Sequence, residues 1–390
     1  MSVNTMSKQQ AYALINAIHQ EATGQVSIQP TDLSSFISVA QATLQSGYEN
    51  TLNAITQVLQ RTIIAVRPYD EKFKGLQMSA DSWGGIIRKI NFADREAIAD
   101  PTHETVEGQS IDQYTVRKPK VIETRYVGSD VYMGSYTIYR EQLKTAFENE
   151  ANFGSFITGL MTHFSNDRTK WLENLKRSLV ANTIAAKADI NDADSNVHLL
   201  TEYNALTGLS LTATSVMQPA NYKPFMQWAY SRVSEISRLM SERSELFQQK
   251  LTGYPIMRHT DVRDQRVYMS AKFLDSMDAM VLADTYHDNF LRYADVEAVT
   301  YWQAIRNPLQ VSATPVYIDA AGAVKTGEAQ VLNNVIGIMF DRDAMGYNIY
   351  NDVIETSPYN AKGQYYNMFA HMDIQLQNDL TEKAVVLYLD

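Results

Sequence analysis

Three features of the 390-residue chain have residue types and spacings suited to chemistry, and each falls short of a working site. Asp192-x-Asp194-x-Asn196 opens like a calcium loop. Such a loop needs glycine at its sixth position for a sharp turn and a bidentate carboxylate at its twelfth. Val197 and Tyr203 stand there, and Glu202 misses by one residue, which reverses the direction of its side chain. The stretch reads as an Asx-rich loop. Asp341-Arg342-Asp343 offers two carboxylates beside an apolar run. Residues two apart can share a face, but one pair supplies neither a nucleophile nor a base–acid partnership. A solvated turn is the expectation. The seven histidines (His19, His103, His163, His198, His259, His287 and His371) form no His-x-x-His or His-Glu-x-x-His pattern, so no zinc site is expected. A lone His163 at helical spacing reads as a packed or capping side chain. There is no Gly-x-x-x-x-Gly-Lys phosphate loop and no Gly-x-Ser-x-Gly elbow. No cofactor, metal or catalytic residue is expected.

The bulk properties narrow the class further. An apolar share of 45% and a charged share of 20% suit a folded chain with a large core. With no cysteine, disulfides and thiolate metal sites are excluded, which fits assembly in a reducing cytoplasm. The N-terminal stretch lacks the basic flank and apolar core of a secretory signal. No run of about 18 apolar residues suggests a membrane span. A net charge of −10 speaks against a broad phosphate-binding face and so against sequence-specific DNA binding. The 23 tyrosines and 16 methionines suit large packed surfaces, and equally a plain core.

The elements that would position any site follow from periodicity. Residues 1–66 read as helices: Tyr12, Leu14, Ile15 and Ile18 share a face, Thr31 or Asp32 caps a helix with Leu33, Phe36 and Val39, and Tyr48, Leu52, Ile55, Val58 and Leu59 form a third stripe. This block is either a small helical bundle or an arm that packs on a partner. Pro68 and Gly84-Gly85 then interrupt, and alternating runs at 111–116, 121–127 and 131–139 predict strands. Charge is sorted in this hairpin region. Asp94, Glu96, Asp100, Glu104, Glu107 and Asp112 lie on the outgoing limb; Arg117, Lys118, Lys120 and Arg125 lie on the return limb. The limbs can face each other, face opposite charges on a neighbour, or simply be solvated. Phe153, Phe156, Ile157, Leu160, Met161, Phe164, Trp171, Leu172, Leu175 and Leu179 predict one long helix over 148–186, with Gly154 and Gly159 as points of bending. A turn-rich stretch at 188–220 marks a boundary. A helix is expected from Lys223 to Leu251, and another after Ser270 with Phe273, Leu274, Met277 and Val281. Residues 296–335 read as short strands and turns.

The C-terminal stretch, Asn334 to Leu389, reads as an apolar strand, a tight turn, a second strand, a loop, an aromatic run and a final strand. That order resembles the C-terminal part of tailed-bacteriophage major capsid proteins of the Hong Kong 97-type fold, especially the head proteins of short-tailed phages. YTIYREQLKTAFENEANFGSFI (Tyr136 to Ile157) looks like the junction of the E-loop and spine helix in the same proteins; the two stretches cover about a fifth of the chain. The resemblance implies an α+β fold divided as follows: an N-terminal helical arm (1–66), an E-loop and flanking strands (67–140), a P-domain spine helix (141–190), an A-domain (191–333), and C-terminal strands returning to the P-domain (334–390). It implies a shell of hexamers and pentamers around double-stranded DNA held without sequence specificity. Partners would be further copies of the chain, a scaffolding protein, a portal and a decoration protein, with assembly in the bacterial cytoplasm and residence in the virion.

On this reading Tyr114, Arg117, Lys118, Lys120 and Arg125 are the candidate E-loop contacts between subunits. Phe156, Leu160, Phe164, Trp171 and Leu175 are the candidate buried face of the spine helix. Some family members crosslink an E-loop lysine to an asparagine of another subunit. Lys89, Lys118 and Lys120 lie in the hairpin region, but nothing marks one as reactive and that chemistry is not carried over. An encapsulin-like compartment shares the fold with a protein cargo; encapsulins are usually shorter and lack so large an N-terminal helical block. An enzyme with a dispersed site is the alternative from another class.

Overall fold

The computed structural model describes residues 8–25, 30, 32–47, 50, 51, 53–55, 58, 72, 73, 75–78, 86–97, 100, 106–111, 113–277, 279 and 295–390. Pro68, Gly84-Gly85, His103, Glu104, Asp112, His287, Val281 and the Tyr48, Leu52 and Leu59 positions of the third stripe lie outside them.

Two helices open the described chain: α1 (Lys8–Thr23) and α2 (Leu33–Gln45). Asp32 is the cap, its carboxylate accepting the Ser35 amide at 2.8 Å. Ala11, Tyr12, Ile15, Ile18, Phe36 and Ala40 are buried here against Ile55 and Val58. Strands β1 (Ile86–Phe92) and β2 (Val121–Val127) pair antiparallel, and β3 (Asp130–Tyr139) follows Gly128. Residues 113–120 are not a strand, contrary to the expectation for 111–116. Among the described residues no strand lies beside them to pair with.

After a short α3 (Arg140–Ala146), the long helix α4 runs Glu150–Asp189. Asn149 caps it by accepting the Asn152 amide at 2.8 Å. Forty residues at 1.5 Å each give about 60 Å. A helix of that length must find two different partners. Its first half buries Phe153, Ile157 and Phe164 against the N-terminal helices. Its second half buries Leu172, Leu179, Val180 and Ile184 under the sheets. Each such fully buried apolar side chain contributes roughly 1.5–3 kcal/mol.

The rest comprises α5 (Leu199–Thr207), α6 (Pro219–Ser241), α7 (Ala271–Met277), β4 (Asn196–His198), β5 (Gln265–Ser270), β6 (Asp295–Val299), β7 (Val311–Ala313), β8 (Val316–Ile318), β9 (Val324–Thr326), β10 (Gln330–Leu332), β11 (Val335–Asp341), β12 (Met345–Thr356), β13 (Tyr365–Asn378) and β14 (Ala384–Tyr388). A five-stranded sheet has the order β4-β14-β11-β5-β6. Its two central strands, β11 and β14, are buried along their whole length. Val386, Ile338, Phe340 and Tyr268 face the long helix. Val385, Leu387, Met339 and Met269 face α5, α6 and α7. This double cover explains why β11 and β14 read as continuous apolar runs rather than alternating ones.

The last 57 residues (334–390) are divided between two sheets. β11 and β14 form the centre of the five-stranded sheet, while β12 and β13 join β3 in a separate three-stranded sheet of order β12-β13-β3. Helix α6 begins at Pro219 and ends at Ser241, ten residues short of the expected Leu251. The Lys383 ammonium takes the carbonyl of Glu242 at 2.7 Å and that of Leu239 at 3.4 Å, so the chain turns away there.

Candidate subunit interface

The chemical motifs are structural. Asp192 accepts the Ser195 hydroxyl at 2.8 Å, and the Asn196 amide donates to the carbonyls of Lys187 and Asp192. Asp341 is not solvated as expected: it is 8% exposed and accepts the Thr260 hydroxyl at 2.7 Å and the Asp343 amide at 2.8 Å. It ties the loop before β5 to the β11–β12 turn. His163 is neither packed nor capping. It is exposed, edge-on to the Tyr136 ring and 3.4 Å from Asp167. Among the described residues no group of three or more acidic, histidine or cysteine side chains is placed to hold a metal. Among them also, no helix is long and apolar enough to cross a membrane.

The β1–β2 hairpin has two faces of opposite character. Its inner face carries Ile87, Lys89, Asn91 and Tyr126, and it sits on the body of the same subunit. Lys89 donates to the carboxylates of Asp379 and Glu382, and Asn91 accepts from Arg258 at 2.7 Å. Asp94 then accepts the Met257 amide at 2.6 Å and pairs with Arg243. Burial works against the charge on Lys89, but Asp379 and Glu382 outweigh it and hold the ammonium above its ordinary range. Burial pushes the Tyr126 phenol up, with the Asp379 carboxylate adding to it. The outer face carries Ile90, Phe92, Val121 and Val127, all exposed. Arg88 at 2.6 Å and Arg125 at 2.8 Å flank Glu123 there. Their hydrogen bonds, Arg88 first, hold the Glu123 carboxyl down to about 2.

On the return limb Lys120 still reaches the body, its ammonium 3.5 Å from the Gly253 carbonyl. Every described residue from 95 to 121 is exposed. Tyr114 is 82% exposed and Val116 79%, values that leave large apolar groups in water without cover. Among the candidate contacts, Arg117, Lys118 and Lys120 project here, whereas Arg125 is already paired with Glu123 in its own strand. Arg95, on the acidic limb, donates to the backbone carbonyls of Arg117 and Lys118 on the return limb.

A second uncovered surface lies on the three-stranded sheet. Its even-numbered β13 residues, Tyr366, Met368, Ala370, Met372 and Ile374, are buried beneath. The other face presents Val131, Met133 and Tyr139 from β3, the register partners Asp373, His371 and Tyr365 from β13 with Phe369 between them, and Val353 and Glu355 from β12. Val131 is 65% and Met133 58% exposed. This face is apolar and aromatic with acidic residues at Asp373 and Glu355. Sequence reasoning missed it because β3 lies more than 200 positions before the β12 and β13 strands it joins.

Of the candidate spine residues, Phe164 is buried, and Phe156, Leu160, Trp171 and Leu175 are half-buried. Phe156 and Leu160 pack at the margin of a cluster with Ile138, Tyr366 and Tyr359; Trp171 and Leu175 border the core under the sheets. The fully buried line is displaced around the helix to Phe153, Ile157, Leu172 and Leu179.

An exposed hairpin and an open sheet face describe a building block. A family model described as Phi29-like phage major capsid protein matches residues 15–388. The chain belongs to that family. It is a major capsid protein, a structural component of the virion that assembles with further copies of itself. Its fold matches that of a chain in the capsid structure of Staphylococcus phage Andhra, with a TM-score of 0.54 at 11% identity, covering 82% of this chain and 84% of the other. A chain in a structure of the head fiber and inner core protein gp22 of native bacteriophage P68 gives 0.52 at 11% identity, covering 82% and 85%. The capsid protein thus has the α+β Hong Kong 97-type fold. No curated protein matches its sequence.

Proposed function

We propose that this capsid protein tiles a phage head from hexamers and pentamers, and that its hairpin (86–127) is the E-loop that joins one subunit to the next. The observation that carries this is the exposure of the hairpin beyond residue 94, with Tyr114 and Val116 uncovered. The acceptor on the neighbouring copy is the open face of the three-stranded sheet. Tyr114 and Val116 meet its Met133–His371–Phe369 centre, and Arg117, Lys118 and Lys120 meet Asp373 and Glu355. Charge matching of this kind fixes register and speeds encounter more than it adds affinity. Strength comes from repetition of modest interfaces around a closed shell. Helix α4 is the spine, and residues 191–333 supply most of the A-domain.

The shell encloses double-stranded DNA as a packed, screened polymer, which an acidic chain tolerates. A scaffolding protein, a portal and a decoration protein are the expected partners in the host cytoplasm. The test is the double reversal Arg117→Glu with Lys120→Glu. Both side chains are exposed, so the subunit should keep its circular dichroism and melting temperature while particle yield falls at least about tenfold. Normal particles from the double variant would sink the hairpin contact.

A further inference from the structure

We propose that Lys89 is a positioning residue for assembly: its buried bridge to Asp379 and Glu382 is the joint that sets the angle of the hairpin on its own subunit. The inference rests on the capsid reading. Its observations are separate from the exposed tip. Asp379 and Glu382 side chains are each 9% exposed, and Lys89 is 22% exposed between them. The acceptor is built without the lysine. Asp379 Oδ1 accepts the Thr381 amide at 2.9 Å and its hydroxyl at 2.6 Å, while the Asp379 amide donates to the Ala344 carbonyl at 2.6 Å. Arg258, 3.3 Å from Glu382 and 2.7 Å from Asn91, braces the same point.

The bridge joins residues 290 apart in sequence. Beside it stand the contacts of Asn91 to Arg258, of Asp94 to Arg243, to the Met257 amide and to the Pro255 carbonyl, and of Lys120 to the Gly253 carbonyl at 3.5 Å. They cluster at the root of the hairpin, where the Ala93 amide donates to the Lys120 carbonyl. Tyr114 stands six residues from Lys120 at the root, up to about 20 Å of extended chain. A tilt of about ten degrees at the root therefore moves Tyr114 by about 3 Å. A neighbour's acceptor face is met in register only when the root is held. Removing one partner of a buried ion cluster leaves the others uncompensated, so Lys89 controls the joint more than an exposed lysine would.

The test compares Lys89→Met with the triple variant Lys89→Met/Asp379→Asn/Glu382→Gln, in which no carboxylate is left unpaired and folding is protected. Hydrogen exchange on unassembled subunits should quicken by about tenfold or more in 86–92 and 121–127 while the five-stranded sheet keeps its protection. Particles should lose their single diameter, forming mixed sizes or tubes. Lys89→Arg, which keeps the charge, should restore one size. Unchanged exchange in the hairpin overturns the proposal. So does a general rise in exchange with particles of unaltered diameter, which marks a merely structural lysine. A wild-type chain that forms no particle defeats the capsid reading instead, and the exchange result then still decides whether Lys89 holds the hairpin.

Discussion

Gly134 of β3 lies directly on the indole of Trp171 in the long helix: a Cβ at position 134 would meet ring carbon Cζ3 at 2.8 Å. The three-stranded sheet therefore rides on the helix at a fixed height, set by the absence of one side chain. This contact holds the proposed acceptor face, because Met133 and Ser135 on either side of Gly134 point outward.

Gly134→Ala should cost about 1–3 kcal/mol, as overpacking does. Trp171→Leu in the same chain should recover most of the loss by clearing the ring. Urea unfolding of the soluble subunit measures both. An alanine variant as stable as the parent would show that the sheet and helix are not in this register.

Lys187 is completely buried, with its ammonium 2.9 Å from the Phe247 carbonyl, and burial lowers it from the ordinary 10.5 to about 8. The unfolded chain keeps this proton up to its ordinary value, the folded chain only to about 8. Between those values the unfolded state binds more protons, so stability rises with pH across that window. The penalty is fully present below pH 8 and amounts to roughly 3 kcal/mol. Lys187→Met removes it at the expense of the bonds to the Phe247 carbonyl and, at 3.5 Å, the Ser195 hydroxyl; the carbonyl keeps the Ala384 amide at 2.9 Å and the hydroxyl keeps Asp192 at 2.8 Å. Calorimetry should find the methionine variant more stable by roughly 1–2 kcal/mol at pH 7, with the advantage gone by about pH 10. A variant destabilised at pH 7 would contradict the burial argument.

Asp189, at the C-terminal end of the long helix, gathers the β8–β9 hairpin. It accepts the Tyr317 hydroxyl at 2.6 Å, the Glu328 amide at 3.1 Å and the Gln330 amide group at 3.2 Å. The Tyr317 hydrogen bond is the main cause holding its carboxyl below the ordinary value of 3.8. A depressed carboxylate contributes stability that is complete above its ordinary value and lost as pH falls through the folded one. Asp189→Asn should speed hydrogen exchange in residues 316–330 at neutral pH and abolish the acid-dependent opening of that segment. Identical acid profiles for variant and parent would exclude this role.

Much of the fold was legible because it follows from local rules. Asp32 caps its helix, Phe153 to Leu179 show a helical stripe, and β11 and β14 are apolar throughout because both faces are covered. What escaped depends on distant partners. The end of α6 is set by Lys383, about 140 residues on. Lys89 read as one more hairpin lysine, because Asp379 and Glu382 are visible as its partners only once the chain folds. The alternation at 111–116 promised a strand, but alternation states which face is apolar and not what it pairs with. The same holds for the acceptor face: Met133, Phe369 and Val353 are unremarkable until β3, β13 and β12 align.

The most direct measurement is an electron-microscopy reconstruction of particles formed by the wild-type chain, expressed alone and with a scaffolding protein. The account predicts closed shells of hexamers and pentamers, with the 95–121 segment of each subunit lying across the β12-β13-β3 face of a neighbour. Isolated monomers under every condition, or shells in which that face is bare and the hairpin folds back on its own subunit, would contradict it.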